Sequence, residues 1–244
     1  MSRTLRRFAA RPDRAGILLD FDGTLSPIVV RPKESTVVAG AREVLEGLVA
    51  RYRLVAIVSG RPAADLVGLL DVDGVRYEGL YGLSGRRASA GGALERAEAA
   101  ARRVPGAWVE SKGVTVAVHY RQTADPIAAR TVLAPELASL ARDDGLDLLE
   151  GKMVFELAPA GESRKGGVVE RLVRECALEA ALYAGDDLPD LEAFAALDRL
   201  SEEGLVTAKV AVGGPELPEA LAAAADVVVE SPAHLVDLLR SVAS

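Results

Sequence analysis

The sequence predicts an α/β fold whose parallel sheet is built from two separate stretches of the chain. Apolar segments alternate with helical patterns from residue 16 to about residue 80, in the order βαβαβ, and the alternation returns after residue 164. Residues 85–161 instead read as paired strands with two helices, a pattern typical of a small α+β insert. We therefore expect a core domain formed by 1–84 and 162–244, interrupted by an insert at 85–161.

The first stretch contains five predicted elements. Val44, Leu45 and Leu48 have helical spacing, and Ser35 and Thr36 are candidate N-terminal caps for that helix. The predicted strands are 16–21, 53–58 and 74–80, and the predicted helices are 37–50 and 62–70.

The insert and the second stretch follow the same logic. In the insert, Asp125 followed by Pro126 is a typical helix start. Its other predicted elements are a helix at 93–103 and strands at 107–111, 113–121, 146–150 and 152–158. The second stretch is predicted to contain helices at 164–176, 188–197, 218–225 and 232–242 and strands at 180–184, 205–212 and 226–229.

Composition limits the functional classes. The chain has 244 residues, a net charge of −7 and 50% hydrophobic residues, which supply a substantial core. An acidic protein lacks the broad positive surface that nucleic-acid binding requires. A single cysteine excludes an intrachain disulfide. Because no run approaches the ~20 apolar residues of a membrane span, we expect a cytoplasmic protein without a membrane partner. Its oligomeric state is left open.

The segment DFDGTL places two carboxylates, Asp20 and Asp22, directly after an apolar run. A buried parallel strand that ends this way puts charge at the edge where open α/β sheets bind ligands. Phosphoryl transfer needs an attacking group, a cation and a proton donor for the leaving oxygen. Asp20 fits the attacking group and Asp22 the proton donor, although such a segment also forms ordinary surface turns.

Two further segments offer groups that bind phosphate. An apolar run ends in Ser59, Gly60 and Arg61, whose hydroxyl and amides can hold phosphate before the next helix. Lys165 begins a helix and can reach a phosphate with its ammonium group. Taken alone, the first segment also fits a plain turn and the second a solvated helix end.

A second acidic cluster follows the strand predicted at 180–184. It contains Asp186, Asp187 and Asp190. Acidic residues after a strand can simply cap a helix, but two such clusters at one sheet edge predict a shared Mg²⁺ site.

In this order, DFDGTL, VSGR, RKG and GDDLPD resemble the four signature motifs of haloacid dehalogenase (HAD) superfamily phosphatases. The resemblance implies a HAD-like Rossmannoid parallel-sheet core with an inserted α+β cap domain. It implies Asp20 as nucleophile and Asp22 as acid/base, with Mg²⁺ held by Asp20, the carbonyl of Asp22 and Asp186. The other implied residues are Ser59, Gly60, Arg61 and Lys165 as phosphate binders, and Asp187 and Asp190 as supports of the metal or its water.

Over nearly its full length the chain is similar to the trehalose-6-phosphate phosphatase family. The matching segments include DFDGTLSPI, VAIVSGRP, ESKGVTVAVHYR, GKMVFELAP and GDDLPDLEAF. This resemblance implies a cap that holds the sugar through Lys112, Lys152 and Glu156, with Glu110 as a further candidate. Strand alternation would also place residues 152 and 156 on one face, ~13 Å apart. His119 fits a structural role and a sugar contact equally well.

The chain departs from this family at several positions. The family's Glu-His-Gly element is replaced by Leu80, Tyr81 and Gly82, and Pro189 and Leu191 alter the last motif. None of these changes touches the phosphoryl-transfer residues, but they bear on the choice of sugar. We expect Mg²⁺-dependent hydrolysis of trehalose 6-phosphate through an aspartyl-phosphate intermediate. The alternatives are another sugar phosphate, of the sucrose or mannosyl type, or a non-catalytic sugar-phosphate sensor.

Overall fold

The computed structural model describes residues 2–29, 31–83, 91–160, 164–214 and 216–243. The chain divides into two compact units, a core unit of Met1–Gly82 with Ser163–Ser244 and a cap unit of Leu83–Glu162. The expected domain boundaries at 84/85 and 161/162 lie outside the described residues.

The strands of the described chain form two sheets. The strands are β1 (Ala15–Leu19), β2 (Leu54–Val58), β3 (Arg76–Glu78), β4 (Trp108–Ser111), β5 (Val116–His119), β6 (Leu146–Gly151), β7 (Val154–Pro159), β8 (Ala180–Gly185), β9 (Val206–Val212) and β10 (Val227–Val229). The core unit contains a parallel sheet in the order β10-β9-β8-β1-β2-β3, and the cap unit an antiparallel sheet in the order β4-β5-β7-β6. The predicted α/β fold is thereby confirmed.

The α-helices of the described chain follow the predicted order, with one addition at the start. They are α1 (Arg3–Phe8), α2 (Ala41–Val49), α3 (Ala63–Leu70), α4 (Gly91–Ala101), α5 (Pro126–Asp144), α6 (Lys165–Glu175), α7 (Asp190–Glu202), α8 (Glu219–Ala224) and α9 (Pro232–Ala243). Helix α1 was not predicted, because six residues rich in arginine carry little apolar periodicity.

Helices cover both faces of the parallel sheet. Along β1, Ile17 and Leu19 pack in the apolar layer that contains residues of α1, α2, α3 and α9, whereas Leu18 packs in the layer that contains residues of α6, α7 and α8. Every residue of β1 is buried, as is expected of a central parallel strand. The strand ends at Leu19, two residues earlier than predicted, so Asp20 and Phe21 follow it as loop residues.

The predicted caps of α2 are wrong. The helix begins at Ala41 after Gly40, which has a φ of 79° and makes no side-chain cap bond. Ser35 lies in the preceding loop, where its hydroxyl is bonded to Asp22 and Arg61 instead. A serine before a helical pattern can bond to other partners, and here tertiary contacts determine them.

In the cap unit, α4 and α5 pack against one face of the antiparallel sheet. Val118 and Phe155 of the sheet share an apolar cluster with Leu133 and Leu137 of α5. The predicted start of α5 is confirmed, because the Asp125 carboxylate accepts hydrogen bonds from the backbone N–H groups of residues 127 and 128, both at 3.0 Å.

The hairpin between β6 and β7 corrects one predicted strand. Strand β7 begins at Val154, and Lys152 lies in the turn before it together with Met153, which has a φ of 58°. Strand alternation therefore does not place Lys152 on the face of Glu156. Within the described ranges, no helix has both the length and the apolar character needed to cross a bilayer.

Candidate active site

Three neighbouring strands of the core sheet, β8, β1 and β2, end in polar residues at the same edge. Asp20 follows β1, Ser59 follows β2 and Asp186 follows β8. The Asp20 backbone N–H donates to the Ala184 carbonyl at 2.9 Å, which continues the pairing of β1 and β8 into the loop. All three side chains are buried. Residues of the first, second and fourth sequence motifs therefore lie together at the carboxyl edge of the sheet.

Lys165, the first residue of α6, joins this edge as a buried cation. Its Nζ lies 2.9 Å from Asp20 Oδ1 and 2.6 Å from Asp190 Oδ1. Burial alone would lower the pKa of Lys165, but the carboxylates of Asp190 and Asp20 outweigh it and raise this pKa above its ordinary value. The ammonium group is therefore a fixed positive charge beside Asp20.

Asp190 holds this edge together through both carboxylate oxygens. Its Oδ1 accepts from Lys165 and from the Tyr183 hydroxyl at 2.7 Å, and its Oδ2 accepts from the backbone N–H groups of Asp186 and Asp187, both at 2.9 Å. Burial and the charge of Asp190 raise the pKa of Tyr183 well above its ordinary value, so the phenol stays a donor. Sequence reasoning missed Tyr183, because a tyrosine within an apolar strand resembles a core residue.

The same carboxylates can hold a metal ion. Asp20, Asp186 and Asp190 each place one oxygen within 4.8 Å of the others. Such an all-oxygen set is the chemistry that a hard divalent cation prefers. Because Asp190 already accepts four hydrogen bonds, Asp20 and Asp186 are the better candidates for direct ligands. Burial raises the pKa of Asp20, with Lys165 opposing, and a cation at this position would favour its carboxylate form.

Arg61 is bonded to Asp22. The guanidinium donates from Nε to Asp22 Oδ2 and from Nη2 to Asp22 Oδ1, both at 2.7 Å. It also donates to the Pro32 carbonyl and the Ser35 hydroxyl, and it lies over the Phe21 ring. Such a two-point pair fixes the orientation of a carboxylate more firmly than one hydrogen bond does. Arg61, which is predicted from the sequence as a phosphate-binding residue, thus contacts Asp22, the predicted acid/base residue.

The loop after β2 packs tightly against the segment that departs from the family pattern. The Arg61 N–H donates to Ser59 Oγ at 3.2 Å, and the Tyr81 N–H donates to the Ser59 carbonyl at 3.0 Å. A Cβ atom on Gly60 would lie 2.5 Å from the Tyr81 hydroxyl, so a larger residue there would have to displace the Tyr81 side chain. Leu80 and Tyr81 both have positive φ angles, a strain that tends to occur near functional sites.

Two of the predicted sugar-binding residues meet within the cap unit. Lys112 Nζ lies 3.1 Å from Glu156 Oε1, and the Thr115 hydroxyl donates to the same oxygen at 2.6 Å. Glu156 is 5% exposed, so these partners compensate for its burial. Lys152 lies in the β6–β7 turn, and its backbone carbonyl accepts a hydrogen bond from Arg121 Nη2.

Residues 18–220 match the family model described as trehalose-phosphatase. The chain belongs to the trehalose-phosphatase family. A relative from Mycobacterium ulcerans, a trehalose-phosphate phosphatase, is 34% identical over 212 residues, which cover 77% of this chain and 54% of the relative. An uncharacterized glycosyl hydrolase of Mycobacterium tuberculosis is 37% identical over 215 residues, 79% of this chain but 16% of that protein. The chain thus spans about half the length of the first relative and 16% of the length of the second.

Solved structures support the fold of this family member. The C-terminal domain of Candida albicans trehalose-6-phosphate phosphatase aligns with a TM-score of 0.83 and 23% identity, covering 98% of this chain and 95% of that one. A protein described as related to trehalose-6-phosphate phosphatase aligns with a TM-score of 0.71 and 26% identity, covering 93% and 96%. Another neighbour is a HAD-superfamily phosphatase of Bacteroides thetaiotaomicron, with a TM-score of 0.60 and 17% identity over 93% of this chain and 94% of that one.

The contact between Gly23 and Asp186 generates a prediction about metal binding. Gly23 has a φ of 81°, and a Cβ atom there would lie 2.0 Å from Asp186 Oδ2. Gly23→Ala should displace the Asp186 carboxylate and weaken Mg²⁺ binding about tenfold or more. Calorimetric titration with Mg²⁺ measures the affinity, and thermal unfolding with and without Mg²⁺ measures the stabilisation by the ion.

Gly68→Ala is the matched control for this prediction. Gly68 lies within α3, and a Cβ atom there has open space around it. This variant should keep its Mg²⁺ affinity and gain about 0.5–1 kcal/mol in the free energy of unfolding. An unchanged Mg²⁺ affinity in the folded Gly23→Ala variant would contradict the placement of the metal.

Proposed function

We propose that this protein is a Mg²⁺-dependent phosphatase that hydrolyses trehalose 6-phosphate to trehalose and phosphate. The observation that carries the proposal is the buried group of Asp20, Lys165, Asp186 and Asp190 at the carboxyl edge of the sheet, in a chain of the trehalose-phosphatase family. A nucleophile, a fixed cation and an oxygen-rich metal site occur there within one set of contacts. Together with Asp22 as the proton donor, those are the parts that phosphoryl transfer requires.

The proposed metal ligands are Asp20, Asp186 and the backbone carbonyl of Asp22. When bound, Mg²⁺ neutralises charge on the phosphoryl oxygens and on the acidic cluster. Asp190 and Asp187 support this arrangement from outside, Asp190 by fixing the loop that carries Asp186. Lys165 and Ser59 are the proposed phosphate-binding side chains, with Gly60 supplying backbone at the same turn.

In the first step, an oxygen of Asp20 attacks phosphorus while the bond between phosphorus and the sugar oxygen breaks. Asp22 gives a proton to the departing oxygen, so trehalose leaves as the alcohol and Asp20 carries the phosphoryl group. In the second step, Asp22 takes a proton from water, and the water oxygen attacks phosphorus. Phosphate leaves and the Asp20 carboxylate is restored.

Arg61 serves this cycle by orienting Asp22. In the resting structure, both oxygens of Asp22 accept hydrogen bonds from Arg61, an arrangement that suits its role as a base in the second step. For the first step, one of these oxygens has to take up a proton, release Arg61 and turn towards the leaving oxygen of the substrate. Arg61 is therefore assigned here as a positioning residue rather than as a direct phosphate ligand.

The sugar is assigned from the relatives and from the cap unit. Two relatives that are 34% and 35% identical to this chain, over 212 and 201 aligned residues, are trehalose-phosphate phosphatases. Lys112, Lys152 and Glu156 are the proposed sugar contacts, with Lys152 acting from its turn. Leu80, Tyr81 and Gly82 replace the family's Glu-His-Gly element. For this reason, other glycosyl phosphates have to be tested as alternative substrates.

A panel of sugar phosphates tests the proposal. Purified protein with Mg²⁺ should release phosphate from trehalose 6-phosphate with a higher kcat/KM than from sucrose or mannosyl phosphates. Asp20→Asn should abolish this release, because an amide cannot attack phosphorus, and its circular dichroism should match the wild type. Equal turnover by Asp20→Asn would overturn the mechanism. A preference for another sugar would overturn the substrate, and tight binding without turnover would favour the sensor.

The pairing of Arg61 with Asp22 generates a further prediction. Arg61→Lys keeps the charge but loses the two-point pair, so the rate of the first step, release of the sugar, should fall about 100-fold. The fall in the first step should be less than about tenfold for p-nitrophenyl phosphate, because nitrophenolate leaves without receiving a proton. Rapid-quench kinetics of the first turnover on both substrates measure the difference, with Asp22→Asn as the reference for the same pattern. Equal losses on both substrates would show that Arg61 acts elsewhere.

A further inference from the structure

The antiparallel sheet of the cap unit has a second face, opposite the one on which α4 and α5 pack. Because side chains alternate along a strand, this second face carries Glu110, Ala117 and Glu156, and the register aligns these three residues in one row across β4, β5 and β7. The adjacent row on the same face contains Trp108 and His119. We call this surface the polar face; its members are Trp108, Glu110, Thr115, Ala117, His119 and Glu156.

Trp108 and His119 form a fixed aromatic pair on the polar face. Their ring centroids are 4.1 Å apart, and the ring planes differ by 10°. His119 Nε2 lies 3.0 Å from Glu110 Oε2, which fixes the imidazole from the adjacent row. The pair is half-buried rather than enclosed, so it presents a rigid aromatic wall at the edge strand of the sheet.

Polar groups border this wall along the face. In the adjacent row, Ala117 lies between Glu110 and Glu156; Ala117 and Glu156 are buried, whereas Glu110 is partly exposed. Glu156 is held by Lys112 and Thr115 at 3.1 and 2.6 Å. The polar face therefore combines a half-buried aromatic pair with the partly exposed carboxylate of Glu110 and the buried carboxylate of Glu156.

We propose that Trp108, backed by His119, is the surface against which a pyranose ring of the substrate packs. A pyranose ring has an apolar face of C–H groups and an edge of hydroxyl groups. It therefore fits a site that offers an aromatic plane and carboxylate acceptors together. This inference rests on the proposed sugar-phosphatase function and extends it. It assigns a specificity-determining residue in addition to the charged residues Lys112, Lys152 and Glu156.

Glu110 supplies a hydrogen-bond acceptor beside the aromatic pair. Its carboxylate is partly exposed and lies 3.0 Å from His119 Nε2. The hydroxyl groups of a sugar can donate to such a carboxylate.

Intrinsic fluorescence tests the inference directly, because Trp108 is the single tryptophan of the chain. Titration of the wild-type protein with trehalose, without phosphate and without Mg²⁺, should change the tryptophan emission saturably. Mannitol, which has hydroxyl groups but no ring, should produce no saturable change. If trehalose leaves the emission unchanged at concentrations that inhibit the enzyme competitively, the inference is overturned.

Kinetics separate a sugar contact from a packing role. Trp108→Leu should raise KM for the sugar phosphate about 3- to 10-fold, with kcat nearly unchanged, and Trp108→Phe should restore part of the affinity. Hydrolysis of p-nitrophenyl phosphate should be unaffected in both. Val132→Ala, at a position 50% exposed on α5, is the control and should resemble the wild type on both substrates.

The outcomes also distinguish this inference from the proposed function. If no sugar phosphate is hydrolysed but trehalose still changes the emission of Trp108, the proposed function fails and the sugar surface stands. If trehalose 6-phosphate is hydrolysed and Trp108→Leu leaves its KM unchanged, the function stands and the inference fails. Equal loss of both activities in Trp108→Leu and Trp108→Phe would show a packing role and would also overturn the inference.

Discussion

The rest of the core site depends on the ion pairs that the buried ammonium of Lys165 forms. It bridges Asp20 and Asp190, so one cation compensates two buried carboxylates. Removal of one partner from such a group leaves an uncompensated charge, at a cost of about 3–5 kcal/mol. Asp190 in turn fixes the loop of Asp186 through backbone N–H groups. The proposed nucleophile and the proposed metal ligand are therefore positioned by one network, with Tyr183 as an additional donor to it.

The two units divide the chemistry that the family name implies. The core unit holds the groups suited to phosphorus, and they lie where three parallel strands end side by side. The sheet of the cap unit carries carboxylates, an ammonium and an aromatic pair, which are the groups proposed to contact the sugar. Under the proposed function, this division lets the phosphoryl chemistry stay constant while the choice of sugar changes with the cap residues.

The order of the elements could be predicted from the sequence because apolar runs alternate clearly with helical patterns. The positions of Asp20, Ser59 and Asp186 followed from the same reasoning, since each comes directly after a buried strand. Pairings between distant side chains left no local signal: Arg61 lies 39 residues from Asp22, and Ser35 resembled a helix cap. Lys152 was placed in a strand because nothing in GKMVFE marks where the hairpin turn ends. The roles of the site residues remain predictions.

The central claim is that Asp20 carries the phosphoryl group during each cycle. Asp22→Asn provides the most direct measurement, because this variant can still form the intermediate from p-nitrophenyl phosphate but cannot activate water for its hydrolysis. Acid quenching during the reaction with Mg²⁺, followed by peptide mass spectrometry, should show one phosphoryl group on Asp20, together with a burst of nitrophenolate. A burst without this adduct, or an adduct on another residue, would contradict the account.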